Sequence, residues 1–524
     1  MNPAGQRGEL ALVLHTHMPY VEGYGTWPFG EEWLWEALAT CYLPLMEALD
    51  SRGGGGVTVS VTPVLADQLA APGVASRFCD FLRDVRRETH RIDASGCRAS
   101  GREAWAVELE RAALDYERAL ARVEALDGDL LALFAGQAAW TSAATHAVLP
   151  LLATDAGVRL QVETGVAAHR ARFDRPWRGG FWLPECAYAP WLAPLLAEAG
   201  ARAVCVDFTD LLGRGSVDQL TPLAVEHGPT LVPIDRATIE LVWSDDGYPA
   251  HGSYRDYHAF TVHHHRVWSN SGETYDHAAA LAQARADAAD FVTRTIARLD
   301  EGSAALGRPA LAVCAIDTEL LGHWWYEGID WLLAVLDEAE RQGLKITHLD
   351  DARERHAARP LSEVLASAGA GARPLSEALT SAGAGSRPLS KVLASAGAGA
   401  AADGATARPG VSAAGGGAAA DLPTTTWGSP RDLSTWDGPQ VADFAWRMRE
   451  AELRTLAGRG PVSPRALREL LALQGSDWAF QVTRGLSGPY PHERASAHAA
   501  ALDQALAGSD PTAPVRGLAP FLMN

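Results

Sequence analysis

The feature that most constrains the fold is a set of short apolar runs that each end abruptly at polar or ionisable residues. Residues 10–14 run into His15 and His17, residues 203–206 into Asp207, and residues 310–316 into Asp317. Such runs are typical of strands that are buried on both faces of a parallel sheet. Helical stretches alternate with them, so the sequence predicts an α/β barrel or an open α/β sheet. In either fold the functional site lies at the carboxyl ends of the strands.

The charge of the chain argues against a polyanionic partner. The 524 residues carry a formal net charge of −19, from 64 acidic and 45 basic residues. A surface this acidic repels phosphate backbones and anionic membranes, so we expect neither nucleic acid nor a membrane as a partner. A neutral polysaccharide suits the composition better. The 17 tryptophans fit such a ligand, because the apolar face of a glucose ring stacks on an indole.

Cysteine usage and hydropathy bear on the compartment. The six cysteines contain no CxxC pair, so they form neither a disulfide framework nor a zinc-finger pattern. No stretch approaches the ~20 apolar residues that a membrane-spanning helix needs, and the N-terminus shows no signal-peptide pattern. These features predict a reduced, cytoplasmic protein.

We expect three parts along the chain. They are a catalytic domain over residues 1–356 with a helical insertion at about 75–130, a low-complexity linker over 357–420, and a helical C-terminal domain over 421–524. The linker contains three near copies of a 14-residue unit between residues 358 and 399. A unit with one or two leucines cannot bury a core, so we interpret the repeats as a duplicated linker. A partner-binding array is the alternative.

Three polar constellations are candidates for chemistry. In the first, the imidazoles of His15 and His17 could grip zinc, hold sugar hydroxyls or a carboxylate, or be structural. In the second, Glu185 follows an apolar segment and a proline, where partial desolvation can tune its pKa; a glutamate at a helix N-terminus is the plain alternative. In the third, Asp317 precedes His323 and three aromatic residues. Aromatic neighbours can raise an acid's pKa, as a general acid needs, although Asp317 could also cap the next helix.

Glu185 and Asp317 together indicate glycoside chemistry. A retaining mechanism uses two carboxyl groups roughly 5–5.5 Å apart, one as nucleophile and one as acid/base. The two residues are therefore the candidates for such a pair.

The chain resembles glycoside hydrolase family 57, and within it the 1,4-α-glucan branching enzymes. The matching segments are HTHMPYV with WPFGEEW, TSAATHAVLPLL, WLPECAY, VWSDDGYPAHGSYRDYH, AIDTELLGHWWYEG and LLALQGSDWAF. The pair Trp427 and Trp436 also matches. The matches run from the N-terminus to about residue 490 and miss only the repeats.

The resemblance implies an incomplete (β/α)7 barrel with an inserted helical segment, over whose site a helical C-terminal domain closes. It assigns the nucleophile to Glu185 and the general acid/base to Asp317. The substrate-binding positions on this reading are His15, His17, Trp33, His146, Arg266, His323, Trp427, Trp436 and Asp477. The implied substrate is an α-glucan, such as amylose or a glycogen-like polysaccharide, in glycogen biosynthesis. The family needs neither a metal nor another cofactor, which weakens the zinc interpretation of the histidines.

Three departures from the family pattern bear on the fate of a covalent intermediate. Residues 213–235 contain no tyrosine, where branching enzymes usually carry a loop tyrosine that helps to exclude water. Gly485-Leu486 stands where relatives often have Gly-Gln, and residues 263–265 are a histidine run in place of a more aromatic segment. Transfer to a sugar hydroxyl must outcompete water at the intermediate. The leading hypothesis is therefore a retaining branching enzyme, and the close alternative is an α-amylase-like hydrolase.

Two more distant hypotheses belong to other classes. A metal-dependent sugar hydrolase or deacetylase would use His15, His17 and Asp207, and would hold one zinc ion. A glucan-binding or scaffolding protein would use the repeats for interaction and would show no turnover.

Overall fold

The computed structural model describes residues 8–26, 28–369, 422–458, 461–509, 511 and 517–523. The second and third repeats of the predicted linker lie outside these ranges. Within them, ten strands form one sheet. The strands, β1 to β10 in chain order, are Glu9–Thr16, Thr58–Val61, Ala138–Ser142, Gly180–Trp182, Ala203–Val206, Leu223–Ala224, Thr230–Pro233, Leu311–Asp317, Lys345–Ile346 and Arg359–Pro360.

The sheet is mostly parallel and curls into a partial barrel. Its strand order is β10-β6-β7-β5-β4-β3-β2-β1-β8, and β9 also pairs with β1. All pairs from β7 to β8 along this order are parallel, whereas β6 is antiparallel to β7. The backbone N–H of Asp235, just after β7, donates to the Val313 carbonyl of β8 at 2.8 Å. The seven parallel strands from β7 to β8 in this order form an incomplete (β/α)7 barrel, which confirms the expected fold.

The strand interiors are buried as the apolar runs predict. Residues 10–14 and 310–316 are at most 3% exposed. In register, His15 of β1 lies beside Asp317 of β8 on one side and beside Ser60 of β2 on the other. The polar residues that end these runs therefore meet at one edge of the barrel.

Helices cover the barrel and form the C-terminal part. Within the described ranges, α1 to α19 in chain order are Glu31–Ala37, Leu43–Asp50, Pro63–Leu69, Val74–Asp80, Arg87–Ala99, Glu103–Ala125, Asp155–Arg172, Leu192–Glu198, Thr209–Leu212, Arg236–Val242, His277–Leu306, Gly328–Gln342, Leu349–Arg355, Leu361–Gly369, Ser434–Asp437, Ala442–Leu456, Pro464–Leu473, Asp477–Thr483 and Tyr490–Leu506. A π-helical turn, Leu38–Tyr42, joins α1 to α2. None of these helices is long and apolar enough to span a bilayer.

The longest helix, α11, begins and ends at residues with the expected capping chemistry. The Asp276 carboxylate accepts the Ala279 N–H at 3.1 Å, and the helix ends at Gly307, whose φ is +66°. A short acidic side chain satisfies a free N–H at a helix start, and glycine adopts the left-handed conformation that ends a helix.

The segment predicted as a helical insertion contains α4, α5 and α6. It is tied to the barrel by Arg255, which forms an ion pair with Glu108 of α6. The Arg255 guanidinium also lies 3.8 Å from the centre of the Tyr326 ring. Both partners of the ion pair are buried, so the insertion is a packed part of the barrel wall.

Residues 358–369 of the first repeat copy lie within the described range and are folded. Arg359–Pro360 pairs with β6, and Leu361 and Val364 of α14 are buried against the barrel. A short unit cannot bury a core of its own, but here it adds apolar side chains to a core that already exists. The boundary predicted at residue 357 therefore falls inside folded structure.

The C-terminal helices pack onto the carboxyl ends of the barrel strands. Their apolar core contains Phe444, Leu470 and Trp478, and it also includes Val148 and Leu151, which follow β3. This packing brings the C-terminal residues 476 and 477 to the polar edge of the barrel.

Candidate functional site

Three histidines stack at the carboxyl end of β1. The Nε2 atoms of His15 and His146 lie 2.9 Å apart, and the ring centres of His17 and His146 are 4.0 Å apart. The His15 ring stacks on Trp182 of β4 at 4.5 Å. Burial lowers the pKa of both His15 and His146 well below the usual value, so both are neutral at physiological pH.

His17 differs from its neighbours because it has an acidic partner. Its Nε2 lies 3.0 Å from the Oδ1 atom of Asp477, at the start of α18. Burial alone would lower the pKa of His17, but the charge and hydrogen bond of Asp477, together with the charges of Glu319 and Glu185, offset this, and the pKa is raised.

A chain of hydrogen bonds links the neutral histidines to Glu185. Ser476 Oγ donates to Glu185 Oε1 at 3.4 Å and lies 2.9 Å from His146 Nδ1. At the other end, His15 Nδ1 lies 3.4 Å from Ser60 Oγ. A neutral imidazole has one donor and one acceptor nitrogen. Because Ser476 donates its hydrogen bond to Glu185, it must accept one from His146. Each histidine is therefore restricted to one tautomer, with Nδ1–H on His146 and Nε2–H on His15.

Glu185 lies in a turn with unusual backbone geometry directly after β4. Its φ is +60°, and the next residue, Cys186, has a φ of +49°. Such values are uncommon for residues other than glycine and cluster at functional sites. Trp427 holds the turn: its indole Nε1–H donates to Glu185 Oε2 and its backbone N–H to the Glu185 carbonyl, both at 3.0 Å. Burial raises the pKa of Glu185 to about 7, although the hydrogen bond from Trp427 lowers it.

Asp207 supports the Trp427 segment. Its carboxylate accepts Nε–H of Arg236 at 2.7 Å and the Thr209 N–H at 2.9 Å. Arg236 in turn donates to the Trp427 carbonyl at 2.5 Å. Asp207, which the zinc hypothesis would use as a ligand, is thus engaged in an ion pair.

Asp317 ends β8 in a different environment. Within the described part of the chain, its carboxyl group accepts no hydrogen bond. Burial raises the pKa of Asp317 well above the usual range, and the negative charges of Glu319 and Glu185 raise it further. A carboxyl group in such surroundings favours its protonated form.

Aromatic rings form a row beside this pair, which we call the aromatic row. It runs from Trp182 through Trp427 and Trp243 to Trp324, with successive ring centres 5.0, 6.3 and 6.1 Å apart. Trp427, Trp243 and Trp324 are half-buried, so each offers part of a flat apolar face.

Comparison with known proteins agrees with this arrangement. The sequence profile of Glycosyl hydrolase family 57 matches residues 139–364. The 1,4-alpha-glucan branching enzyme TK1436 of Thermococcus kodakarensis is 28% identical over 94% of this chain and 72% of that protein. The crystal structure of a GH57-type branching enzyme from Pyrococcus horikoshii matches with a TM-score of 0.77 at 27% identity, covering 95% of this chain and 90% of that chain.

The chain is similar to glycosyl hydrolase family 57 over residues 139–364, and to branching enzymes over nearly its whole length. It is therefore an enzyme of the glycoside hydrolase or glycosyltransferase type. The fold is also shared with the alpha-amylase AmyC from Thermotoga maritima, at a TM-score of 0.69 and 21% identity over 96% of this chain and 94% of that chain.

The structure brings most of the predicted site residues together. Trp33 is half-buried between Phe29 and Tyr490, with ring centres 5.7 and 5.6 Å away. On the far side of the aromatic row, His323 Nδ1 lies 3.2 Å from Thr40 Oγ1.

Arg266 lies next to His323. Its guanidinium stacks over the Tyr257 ring at 4.1 Å, and the Tyr257 ring centre is 6.0 Å from that of His323. Burial lowers the pKa of His323 to about 4, and the positive charge of Arg266 contributes to this lowering.

Trp436 is a predicted site residue that the structure buries completely. Its side chain is 1% exposed and belongs to the apolar core of the C-terminal helices. A residue with no exposed face cannot stack on a sugar ring. Its contribution to the site is indirect, since a Cβ atom on Gly428, next to Trp427, would lie only 3.3 Å from the Trp436 ring.

Several site residues carry no assignment from the sequence. They are Ser60, Trp182, Arg236, Glu319 and Ser476. Glu319 and Ser476 sit inside segments that match the family, and each is next to, or two residues from, a predicted residue. Their roles depend on neighbours that are distant in sequence, so the spacing of the motifs alone does not reveal them.

Within the described ranges, no group of three or more histidine, cysteine, aspartate or glutamate side chains is arranged to hold a metal ion.

Proposed function

We propose that this enzyme is a 1,4-α-glucan branching enzyme of family 57. It cleaves an α-1,4 bond of amylose or a glycogen-like polysaccharide and transfers the released segment to a 6-hydroxyl with retention of configuration. The similarity to proteins named as branching enzymes, over 94–95% of this chain, supports the substrate class. All six cysteines are free, which suits a reducing compartment, and we assign the reaction to cytoplasmic glycogen biosynthesis.

The observation that carries the proposal is the contrast between the two carboxyl groups. Glu185 receives hydrogen bonds from Trp427 and Ser476, which favour its ionised form. Asp317 receives none within the described residues and is surrounded by negative charge. Burial raises the pKa of both carboxyl groups, but only Glu185 has donors that stabilise its ionised form, and this difference suits a nucleophile paired with a general acid.

The reaction follows from these roles. A Glu185 oxygen attacks the anomeric carbon and forms a glycosyl ester, while the glycosidic oxygen leaves with the proton of Asp317. The 6-hydroxyl of an acceptor glucan then attacks the same carbon, the ester bond to Glu185 breaks, and the hydroxyl proton passes to Asp317. Each carboxyl group returns to its initial state.

The remaining residues bind the glucan. The half-buried rings of the aromatic row, Trp427, Trp243 and Trp324, present apolar faces on which glucose units stack, and the half-buried Trp33 offers a further face. His15, His17, His146, His323, Arg266 and Asp477 supply polar groups at the strand ends for sugar hydroxyls.

A second candidate function is hydrolysis by the same two carboxyl groups. Residues 213–235, which contain no tyrosine, form a 3₁₀ turn at Val217–Leu220 and the paired strands β6 and β7. If water reaches the glycosyl ester before a sugar hydroxyl does, the product is a shortened linear glucan.

Incubation of the purified protein with amylose separates the two functions. Reducing ends are counted directly and again after treatment with a debranching enzyme. A branching enzyme yields few reducing ends at first and many after debranching. A direct rise that debranching does not increase would establish hydrolysis instead, and no change in either count would refute both functions.

A further inference from the structure

A third carboxyl group lies in the catalytic pocket and has no part in the proposed reaction. Glu319 follows Asp317 by two residues and is 5% exposed. Its negative charge is, after burial, the largest contribution that raises the pKa of Asp317. A buried acid beside the proposed general acid calls for a physical explanation, because an additional negative charge in a pocket is costly.

Glu319 is held in place by two donors from different elements. Its Oε1 atom accepts the hydroxyl of Tyr42 at 2.5 Å and the backbone N–H of His17 at 3.1 Å. Hydrogen bonds of this kind favour the ionised form of a carboxyl group. Burial raises the pKa of Glu319 to about 7, against the lowering effect of Tyr42.

The π-helical turn between α1 and α2 explains how Tyr42 reaches Glu319. Consecutive residues of this turn contact the segment that follows Asp317: Thr40 Oγ1 lies 3.2 Å from His323 Nδ1, Cys41 Sγ lies 3.2 Å from the Thr318 carbonyl oxygen, and the Tyr42 hydroxyl binds Glu319. A π-helical turn inserts a residue into a helix and is frequent at functional sites. The packing is close, since a Cβ atom on Gly322 would lie 2.2 Å from the Thr40 carbonyl oxygen.

We propose that Glu319 and Tyr42 are positioning residues for the general acid. The Glu319 carboxylate, held by Tyr42 and the His17 backbone, keeps the proton on Asp317 until the glycosidic oxygen takes it. This inference rests on the proposed function, in which Asp317 is the acid.

Other titratable groups face this pair from each neighbouring element. They are His15 on β1, His17 just after it, Cys41 and Tyr42 on the π-helical turn, His146 after β3, Glu185 after β4, and Asp477 at the start of α18. Burial leaves His15 and His146 neutral, and it raises the pKa of Cys41 and Tyr42 well above the usual values. The charge of His17 is balanced by Asp477, with which it forms an ion pair. Besides Glu185, Glu319 is therefore the anion that acts on Asp317.

The test is the pH dependence of kcat/KM on amylose for Glu319→Gln and Tyr42→Phe. In the parent enzyme, kcat/KM falls on the high-pH side of its profile, the basic limb, when Asp317 loses its proton. Glu319→Gln removes the neighbouring charge, so this limb moves to lower pH, by about 1 on the pH scale or more. Tyr42→Phe removes a hydrogen bond that stabilises ionised Glu319, so Glu319 shares the proton of Asp317. The basic limb therefore moves in the same direction, but less than in Glu319→Gln.

A matched control and a second substrate exclude a purely structural effect. Tyr254 also donates to a carboxylate, Asp287 Oδ2 at 2.5 Å, so Tyr254→Phe removes a comparable bond and leaves the limb in place. Fluoride leaves α-maltosyl fluoride without a proton from a general acid. At a pH above the limbs of both the parent and the variant, Glu319→Gln should lose about tenfold on amylose if the limb has moved down by about 1 in pH, but less than about threefold on the fluoride.

The outcomes separate this inference from the proposed function. If Glu319→Gln and Tyr42→Phe lower the rate equally at every pH and on both substrates, their role is structural and the inference is overturned. Asp317→Asn tests the underlying assignment: near-normal turnover of amylose would overturn the proposed mechanism itself. If Asp317→Asn is inactive but the basic limb does not move in Glu319→Gln and Tyr42→Phe, only the role of Glu319 is overturned. If Glu319→Gln does not fold, the position of the basic limb in Tyr42→Phe alone decides whether the inference holds.

Discussion

The two carboxyl groups of the pocket are held by different regions of the chain. On the side of the proposed acid, Asp317 ends β8 and Glu319 lies in the turn that follows. They contact β1, the residue after it and the π-helical turn, all within the first 323 residues. On the nucleophile side, Glu185 receives both of its side-chain hydrogen bonds from the C-terminal region, from Trp427 and Ser476. The acid side is thus complete within the barrel, whereas the nucleophile side is completed only when the C-terminal region packs on it.

This difference has a kinetic consequence. In the proposed mechanism the acid and the nucleophile titrate as opposite limbs of a bell-shaped pH profile. Substitutions in the C-terminal region should therefore move the acidic limb, which reports Glu185, and leave the basic limb in place. The variants Glu319→Gln and Tyr42→Phe should do the reverse.

The largest expected effect is that of Glu185→Gln. An amide cannot form the glycosyl ester, so turnover of amylose should fall by at least about a thousandfold. Binding of amylose, measured by calorimetry, should change little because the aromatic row is intact. Glu226→Gln is the control, since Glu226 is exposed in the turn between β6 and β7. Near-normal turnover of Glu185→Gln would remove Glu185 from the mechanism.

The next largest effect is that of Trp427→Phe. Glu185 must be ionised to attack, and its pKa is about 7, so turnover should fall as the pH drops through that value. The indole N–H of Trp427 lowers this pKa, so its loss should move the acidic limb to higher pH. We expect turnover at pH 7 to fall by about ten- to a hundredfold, the cost of losing a donor to a catalytic anion.

The control for this variant is Trp243→Phe. Trp243 lies in the aromatic row, 6.3 Å from Trp427 between ring centres, and within the described residues it forms no hydrogen bond to Glu185. The Trp243→Phe variant should weaken glucan binding without moving the acidic limb. If the acidic limb lies at the same pH in Trp427→Phe and Trp243→Phe, Trp427 acts as a binding surface only.

The smallest effect is expected for Ser476→Ala. The bond from Ser476 to Glu185 is long, at 3.4 Å, so we expect a loss of about three- to tenfold and a small displacement of the acidic limb to higher pH. Ser487→Ala removes another buried hydroxyl, which donates to Gln481 at 2.7 Å, and is the matched control. A larger loss in Ser487→Ala than in Ser476→Ala would attribute the effect to helix packing.

Part of the C-terminal region could be predicted and part could not. Sequence similarity indicated Trp427 and Asp477 as site residues, and the structure brings both to the pocket. It indicated Trp436 with the same weight, but this indole points into the helical core. Residue type does not encode the direction of a side chain on a short helix; the packing of α15 against its neighbours decides it.

The repeats show the same limit in another form. Their composition predicts a linker, because a unit with so few apolar residues cannot stabilise itself. Leu361 and Val364 are nevertheless buried, because the barrel supplies the rest of the core. Composition measures what a segment can do alone, and not what surface it meets.

The sequence by itself determined the strands and the residues that end them, since hydrophobic runs and the polar residues after them are local features. Only the tertiary structure decided which ends meet. His15 lies beside Asp317 because β1 pairs with β8, and Glu185 is bonded to Trp427, which is 242 residues away along the chain. Strand order and the docking of the C-terminal helices depend on the whole core, so no local pattern records them.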